Sequence, residues 1–131
     1  MVWNVACYAG PLFRAYAPIA GGFWGSTPAT CPSGPISLRH IHGRADGVVA
    51  FDEIGIYNSM PITDGMHALR RLNGCPVRAD NASNQRRYAC EQWSRCSSGK
   101  VLQLCLHERG HSIPAEWVAE GYDWMLTLPQ K

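Results

Sequence analysis

The sequence has few of the features that mark nucleic-acid-binding, membrane or zinc-binding proteins. Charged residues make up 17% of the 131 residues, and the formal net charge is only +2. The lysines and arginines are scattered, which argues against binding to nucleic acid or to an anionic membrane surface. No apolar run is long enough to span a bilayer. No two cysteines have the C-x-x-C spacing of zinc ribbons and thioredoxin-like proteins.

Export signals, repeats and low-complexity segments are also missing. The opening residues, MVWNVACYAG, lack the basic region and the long apolar region of a signal peptide. Six cysteines in a chain of this length nevertheless indicate an oxidising compartment. We therefore expect an extracellular or periplasmic protein whose export signal is not among these residues, and we expect no cofactor.

The residues that are present are those of one globular domain. Hydrophobic residues account for 46% of the chain, and it contains five tryptophans and five tyrosines, more than a disordered segment would carry. Cys7 and Cys105 lie inside apolar runs, which favours buried thiols, whereas Cys75 and Cys96 lie in polar, turn-rich surroundings and look able to pair. For Cys31 and Cys90 the sequence does not decide between a buried thiol and a disulfide.

The hydrophobic pattern predicts alternating helices and strands. The predicted elements are a helix at 1–9, strands at 13–20 and 36–43, a helix at 62–75, a strand at 100–108 and a helix at 115–128. Thr63 or Asp64 is the candidate N-cap of the second helix, and Gly74 is its C-terminal stop. The polar segment 76–99 reads as a surface excursion. Strands separated by helices indicate an α/β fold with a parallel sheet covered by helices.

Two polar residues follow predicted strands at the edge where such sheets bind ligands. Asp46 comes after the strand at 36–43, and His111 comes after the strand at 100–108. A carboxylate that accepts the Nδ1 proton of a histidine leaves the other ring nitrogen to act as general base and acid for a serine. The competing interpretation is that Asp46 caps a turn and His111 is a polar loop residue. The residues alone do not decide between the two.

A metal site is a further interpretation of the same region. Its candidate ligands are His40, His42, Asp46, His107 and His111. Side chains at i and i+2 of a strand share a face, so an H-x-H pair can bind one ion. The i, i+4 spacing of the other two histidines requires a helix, which Gly110 and Pro114 disfavour. We therefore expect His40 and His42 to be hydrogen-bonded core histidines beneath a loop.

A nucleophile is not recognisable in the chain. No G-x-S-x-G nucleophile elbow occurs. Ser26 and Ser33 lie in proline-rich loops, and Ser112 follows His111 without an elbow around it. Cys7 and Cys105 lie in apolar segments that favour structural roles.

Several segments together resemble a known family. They are APIAGG, HIHGRADGVV, LRRLNGC, WSRCSSGKVLQLCLHERGHSIPAEW and YDWM. In this order and spacing, over most of residues 15–125, they resemble the C-terminal half of secreted polyhydroxybutyrate depolymerases and feruloyl-esterase-like α/β-hydrolases. Two details depart from the family pattern: the ERGH segment, where relatives often have a glycine-rich turn, and Arg44.

The resemblance implies a fold and a set of site residues. Residues 1–131 would be a partial α/β-hydrolase domain with a mostly parallel sheet, without the N-terminal strands and the nucleophile elbow. Asp46 would be the acid and His111 the base of a Ser-His-Asp triad, and Cys75 and Cys96 would form a disulfide. The serine would lie about five residues before Met1. The substrate would be a polyester or a feruloylated polysaccharide ester.

This interpretation has consequences for the isolated chain. Without the serine and the oxyanion donors it should lack esterase activity. The strand at 13–20 would expose an unpaired apolar edge, through which the chain should aggregate or dimerise. The alternatives are a non-catalytic remnant of such a hydrolase and a metal-dependent hydrolase that uses the His40–His42 pair.

Overall fold

Helices cover both faces of a four-stranded sheet in the computed structural model, which describes residues 1–129. The last two residues of the predicted domain 1–131 lie outside the described residues. The helices are α1 (Val2–Ala9), α2 (Ile62–Asn73) and α3 (Ala115–Thr127), and the strands are β1 (Leu38–Gly43), β2 (Asn81–Asn84), β3 (Ala89–Trp93) and β4 (Leu102–His107). Short 3-10 turns occur at Gly10–Leu12 and Ile56–Asn58.

The sheet is mixed, so the prediction of a mostly parallel sheet is wrong for the described residues. The strand order is β1-β4-β3-β2, and only β1 and β4 run parallel. β3 runs antiparallel to both β4 and β2. The reason is the polar segment 76–99, which folds as a hairpin closed by a bond from the Gln85 amide to the Tyr88 carbonyl. A connection this short permits only antiparallel pairing.

The core lies on both faces of the parallel strand pair. On one face Trp3 of α1 and the apolar side of α2 pack with Leu38 and Leu102. On the other face Trp117 of α3 packs against Ile41. All six residues of β1 are buried because both of its faces are covered.

The segment predicted as a strand at 13–20 pairs with β1 without forming a continuous strand. It makes isolated parallel bridges at Tyr16 and Ile19. Between them lies Pro18, whose carbonyl accepts a bond from β1 but which has no N–H to continue the ladder. Ala20 then has a positive φ of 52°, which ends the extended stretch.

The ends of α2 show one error and one success of the sequence reasoning. The predicted side-chain cap at Thr63 or Asp64 is absent. The carbonyls of Ala50 and Phe51 accept the first amides of the helix instead. Gly74 ends the helix as predicted, with a φ of 64° that glycine tolerates without strain.

All six cysteines form disulfides. The pairs are Cys7–Cys31, Cys75–Cys96 and Cys90–Cys105. The prediction of buried thiols at Cys7 and Cys105 is half wrong: both residues are fully buried, but neither is a thiol. Their partners are distant in sequence, and apolar surroundings therefore did not reveal the pairing. The bridge from Cys75 to Cys96, which spans 21 residues, contributes about 3 kcal/mol in the chain-entropy account.

Three disulfides fit an oxidising compartment of the extracellular type. Within residues 1–129, none of the helices combines the length and the hydrophobicity that crossing a bilayer requires.

Candidate active site

Asp46 is fixed in a tight turn just after β1. Its amide donates to the carbonyl of Gly43 at 3.1 Å. Its Oδ1 accepts hydrogen bonds from the amides of Val48 at 2.8 Å and Val49 at 3.0 Å. An aspartate that binds amides two and three residues ahead stabilises such a turn locally. One carboxylate oxygen is therefore occupied by the backbone, and Oδ2 is left for another partner.

That partner is His111, 65 residues further along the chain. Its Nδ1 lies 2.9 Å from Asp46 Oδ2. The Asp46 side chain has no exposed surface, whereas that of His111 is 37% exposed. The pair thus runs from the interior to the surface, with the carboxylate at its buried end.

The parallel pairing of β1 and β4 brings the two residues together. Gly43 is in register with His107, so both strands end at the same edge of the sheet. The loops beyond them are joined by a bond from the Arg44 amide to the His107 carbonyl at 2.8 Å. The close approach requires glycine, since a Cβ at position 43 would lie 2.2 Å from the Arg109 carbonyl oxygen.

The environment of Asp46 favours its ionised form. Burial opposes ionisation, but the hydrogen bonds from Val49 and Val48, together with His111, outweigh burial and lower the pKa of Asp46 below its ordinary value. An ionised carboxylate accepts the Nδ1 proton of His111. Neutral His111 then carries no proton on Nε2, which is the state a general base requires.

His40 and His42 form a separate hydrogen-bonded chain inside the protein. His40 Nδ1 lies 3.1 Å from the Pro18 carbonyl, and His42 Nε2 lies 2.7 Å from the Val49 carbonyl. The two rings meet between His40 Nε2 and His42 Nδ1 at 3.0 Å. Both residues are fully buried, in agreement with the expectation of core histidines beneath a loop.

The residues proposed as metal ligands do not form a set that could hold a metal ion. All four nitrogens of His40 and His42 are engaged in the chain just described. His107 accepts a bond from the Arg109 amide on Nδ1, and its ring packs on Trp117 with centroids 4.8 Å apart. Among residues 1–129 no group of three histidine, cysteine or acidic side chains is arranged to hold a metal ion.

No hydroxyl or thiol group in the described part of the chain is hydrogen-bonded to His111. Every cysteine is in a disulfide. The hydroxyl of Ser33 donates to the carbonyls of Ala6 and Cys7. The hydroxyl of Ser112, the sequence neighbour of His111, is buried without a hydrogen-bond partner.

A large cavity lies at the opposite end of the sheet. Its volume is about 930 Å³, and Ser37 and Lys100, which line it, precede β1 and β4. Asp46 and His111 follow the other ends of these two strands. The exposed side of His111 therefore does not face this cavity.

Sequence reasoning found Asp46 and His111 but missed what positions them. The amides of Val48 and Val49 hold the carboxylate, and Gly43 permits the two loops to touch. The D-G-V-V stretch is compatible with an aspartate-stabilised turn, so the bonds from Val48 and Val49 had a signal in the local sequence. The close approach at Gly43 depends on a loop more than 60 residues away, so nothing in the local sequence indicated it.

Comparison of the chain with models of known protein families and with curated proteins gave no match.

Proposed function

We propose that the chain is the C-terminal part of a carboxylic ester hydrolase of α/β-hydrolase type, in which Asp46 is the acid and His111 the base of a Ser-His-Asp triad. The observation that supports it is the 2.9 Å bond between a fully buried carboxylate and a partly exposed imidazole, at the ends of two parallel strands. The nucleophile is a serine that residues 1–131 do not contain.

Each member of the pair has one role in this reaction. Asp46 accepts the Nδ1 proton of His111, fixes the tautomer of the ring and stabilises the imidazolium that forms. His111 Nε2 takes the proton of the serine hydroxyl as the serine oxygen bonds to the ester carbonyl carbon. The same proton passes to the alcohol oxygen when the alcohol leaves. In the second half His111 takes a proton from a water molecule as the water oxygen bonds to the acyl carbon. The proton then passes to the serine oxygen as the acyl–serine bond breaks and the acid leaves.

The substrate we propose is an ester outside the cytoplasm, either a polyester or a feruloylated polysaccharide. The resemblance of the segments around Asp46 and His111 to depolymerases and feruloyl esterases favours these two classes. The three disulfides are compatible with an extracellular or periplasmic location, where such polymers are found.

The test compares this chain with a longer polypeptide that includes any in-frame residues encoded before Met1. We expect the 131-residue chain to leave p-nitrophenyl butyrate intact and the longer protein, if it contains G-x-S-x-G, to hydrolyse it. His111→Gln in the longer protein should lower kcat/KM by about 10⁴-fold or more. His67→Gln, which alters an exposed histidine of α2, is the control and should change little.

The outcomes separate this proposal from its alternative. Equal hydrolysis by the longer protein and its His111→Gln variant would refute the role of the pair. The absence of any serine elbow upstream would favour a non-catalytic remnant. If activity is present, release of hydroxybutyrate from a polyester film or of ferulate from feruloylated arabinoxylan identifies the substrate class.

A further inference from the structure

The His40–His42 pair lies beneath the Asp46 turn and takes no part in the chemistry proposed for His111. Both side chains are on the face of β1 covered by α1, where the ring of Trp3 contacts that of His40 edge-on at 5.1 Å. Neither residue has exposed surface. Their ring nitrogens therefore depend on protein groups for hydrogen bonds.

The three contacts of the pair need more protons than two neutral rings carry. A carbonyl oxygen only accepts, so the bond to Pro18 requires a proton on His40 Nδ1. In the same way the bond to Val49 requires a proton on His42 Nε2. A neutral imidazole has one N–H proton, so in two neutral rings both protons are used in the bonds to Pro18 and Val49. The 3.0 Å contact between His40 Nε2 and His42 Nδ1 would set two lone pairs against each other.

We propose that His40 and His42 bind one shared proton between His40 Nε2 and His42 Nδ1, and that the resulting buried cation is a counter-charge that positions Asp46. This proposal does not depend on ester hydrolysis. With the third proton every contact of the pair becomes a hydrogen bond. Without it, one contact within the buried chain is repulsive.

Burial opposes a positive charge on the pair, whereas the carboxylate of Asp46 and the carbonyls of Pro18 and Val49 favour one. Asp46 Oδ2 lies 3.7 Å from His42 Nε2, close enough for a strong attraction in a buried site. Burial lowers the pKa of His40 well below its ordinary value, and charge on His42 lowers it further. Burial also lowers the pKa of His42, and the Val49 carbonyl and Asp46 offset this effect only in part. The neighbouring rings of His107 and His111 act in the same direction as burial.

Asp46 Oδ2 thus faces two imidazole systems at once. His111 Nδ1 is 2.9 Å away on the outer side, and His42 Nε2 is 3.7 Å away on the inner side. A positive charge on the inner side favours the ionised carboxylate without competing for the Nδ1 proton of His111. His40 and His42 are therefore positioning residues for Asp46.

The experiment is nuclear magnetic resonance of the disulfide-bonded protein with ¹⁵N-labelled histidine and ¹³C-labelled aspartate, from about pH 5 to about pH 8. We expect a far-downfield proton coupled to a nitrogen of each ring, and uptake of one proton by the two rings together. His42→Gln keeps a donor for the Val49 carbonyl but removes the charge. In that variant the downfield proton should disappear and the acid dissociation constant of Asp46 should fall about tenfold.

The control is His67→Gln, which should leave both signals unchanged. The wild-type spectrum decides the question even where a variant does not fold. Two neutral rings at every pH at which the protein stays folded, each with one unprotonated nitrogen, would overturn the proposal, as would uptake of two protons. An unchanged Asp46 titration in folded His42→Gln would overturn the positioning role.

Discussion

The carboxylate of Asp46 accepts hydrogen bonds from the backbone of its own turn and from a histidine that is distant in sequence. Oδ1 accepts two amides and Oδ2 accepts His111, so both oxygens have partners although the side chain is fully buried. Ionised carboxylates are tolerated in the interior only under such conditions. The residue is therefore part of the fold as well as of the proposed chemistry.

Replacement of the carboxylate by an amide should change the tautomer of His111. In Asp46→Asn the Oδ1 atom still accepts the Val48 and Val49 amides, but the amide nitrogen donates instead of accepting. We expect the His111 proton to move to Nε2, which ¹⁵N chemical shifts of the ring detect. In an active longer protein kcat should fall about 10⁴-fold. Asp52→Asn, an exposed position in the same loop, is the control, and an unchanged His111 spectrum in Asp46→Asn would contradict the pairing.

Asp46 should also make the fold sensitive to acid. Its pKa is lower in the folded protein than the ordinary value of 3.8, so the unfolded chain binds its proton first as the pH falls. The stabilisation is present above the unfolded pKa and is lost as the pH falls through the folded pKa. Urea titrations below about pH 5 should show a shallower loss of stability in Asp46→Asn than in the wild type. Parallel losses in the two proteins would contradict this expectation.

At the scale of elements, the site depends on how close the ends of β1 and β4 lie to each other. In the loop after β1, the amide of Arg44 donates to the carbonyl of His107 at the end of β4, and the amide of Ala45 donates to the carbonyl of Arg109. Gly43 gives these loops the room to touch. The distance between Asp46 and His111 therefore depends on the backbone contacts of Gly43, Arg44 and Ala45.

Gly43→Ala should separate the two loops. The added Cβ would lie 2.2 Å from the carbonyl oxygen of Arg109, and backbone must move to relieve the contact. We expect a loss of about 1–3 kcal/mol in the free energy of unfolding and a weaker bond between Asp46 and His111. Gly47→Ala is a matched control, since a Cβ there meets nothing within 4 Å. Equal stability of the two variants in urea would show that the close approach is dispensable.

At the scale of the whole molecule, the described residues form a small mixed α/β domain whose sheet has β1 at one edge and β2 at the other. β2 is exposed along its length at one edge of the sheet. At the other edge, the segment 13–20 pairs with β1 on one side. Exposed apolar side chains lie next to that segment, with Leu12 74% and Phe13 59% exposed. Ala15, Tyr16 and Ala20 of the segment are buried, so the exposed apolar surface lies at its start, and such a surface favours association.

The isolated chain should therefore self-associate through the edge at 13–20. We expect the apparent mass in size-exclusion chromatography with light scattering to rise with concentration. A Leu12→Lys, Phe13→Lys double variant should reduce association, because charge beside an edge opposes pairing. Val77→Lys changes an equally exposed apolar residue at another place and is the control. A monomer at all concentrations, or an equal effect of the control, would contradict the edge as the contact.

Local pattern was sufficient to predict the three helices and the two parallel strands, but not the hairpin of β2 and β3. Apolar periodicity and the stop at Gly74 placed the three helices and the two parallel strands within a few residues of their observed bounds. The order of those elements also put Asp46 and His111 at one edge of a sheet. These inferences succeeded because they depend on neighbours in sequence.

The tertiary structure alone decided the rest. The mixed sheet, the disulfides of Cys7 and Cys105 and the contact between His40 and His42 depend on the distances and orientations between residues after folding. Pairing of cysteines follows from which segments pack together, and the proton demand of two histidines follows from which nitrogens face which partners. Sequence determined where the residues with titratable side chains lie along the chain, and packing determined which of them come within hydrogen-bonding distance.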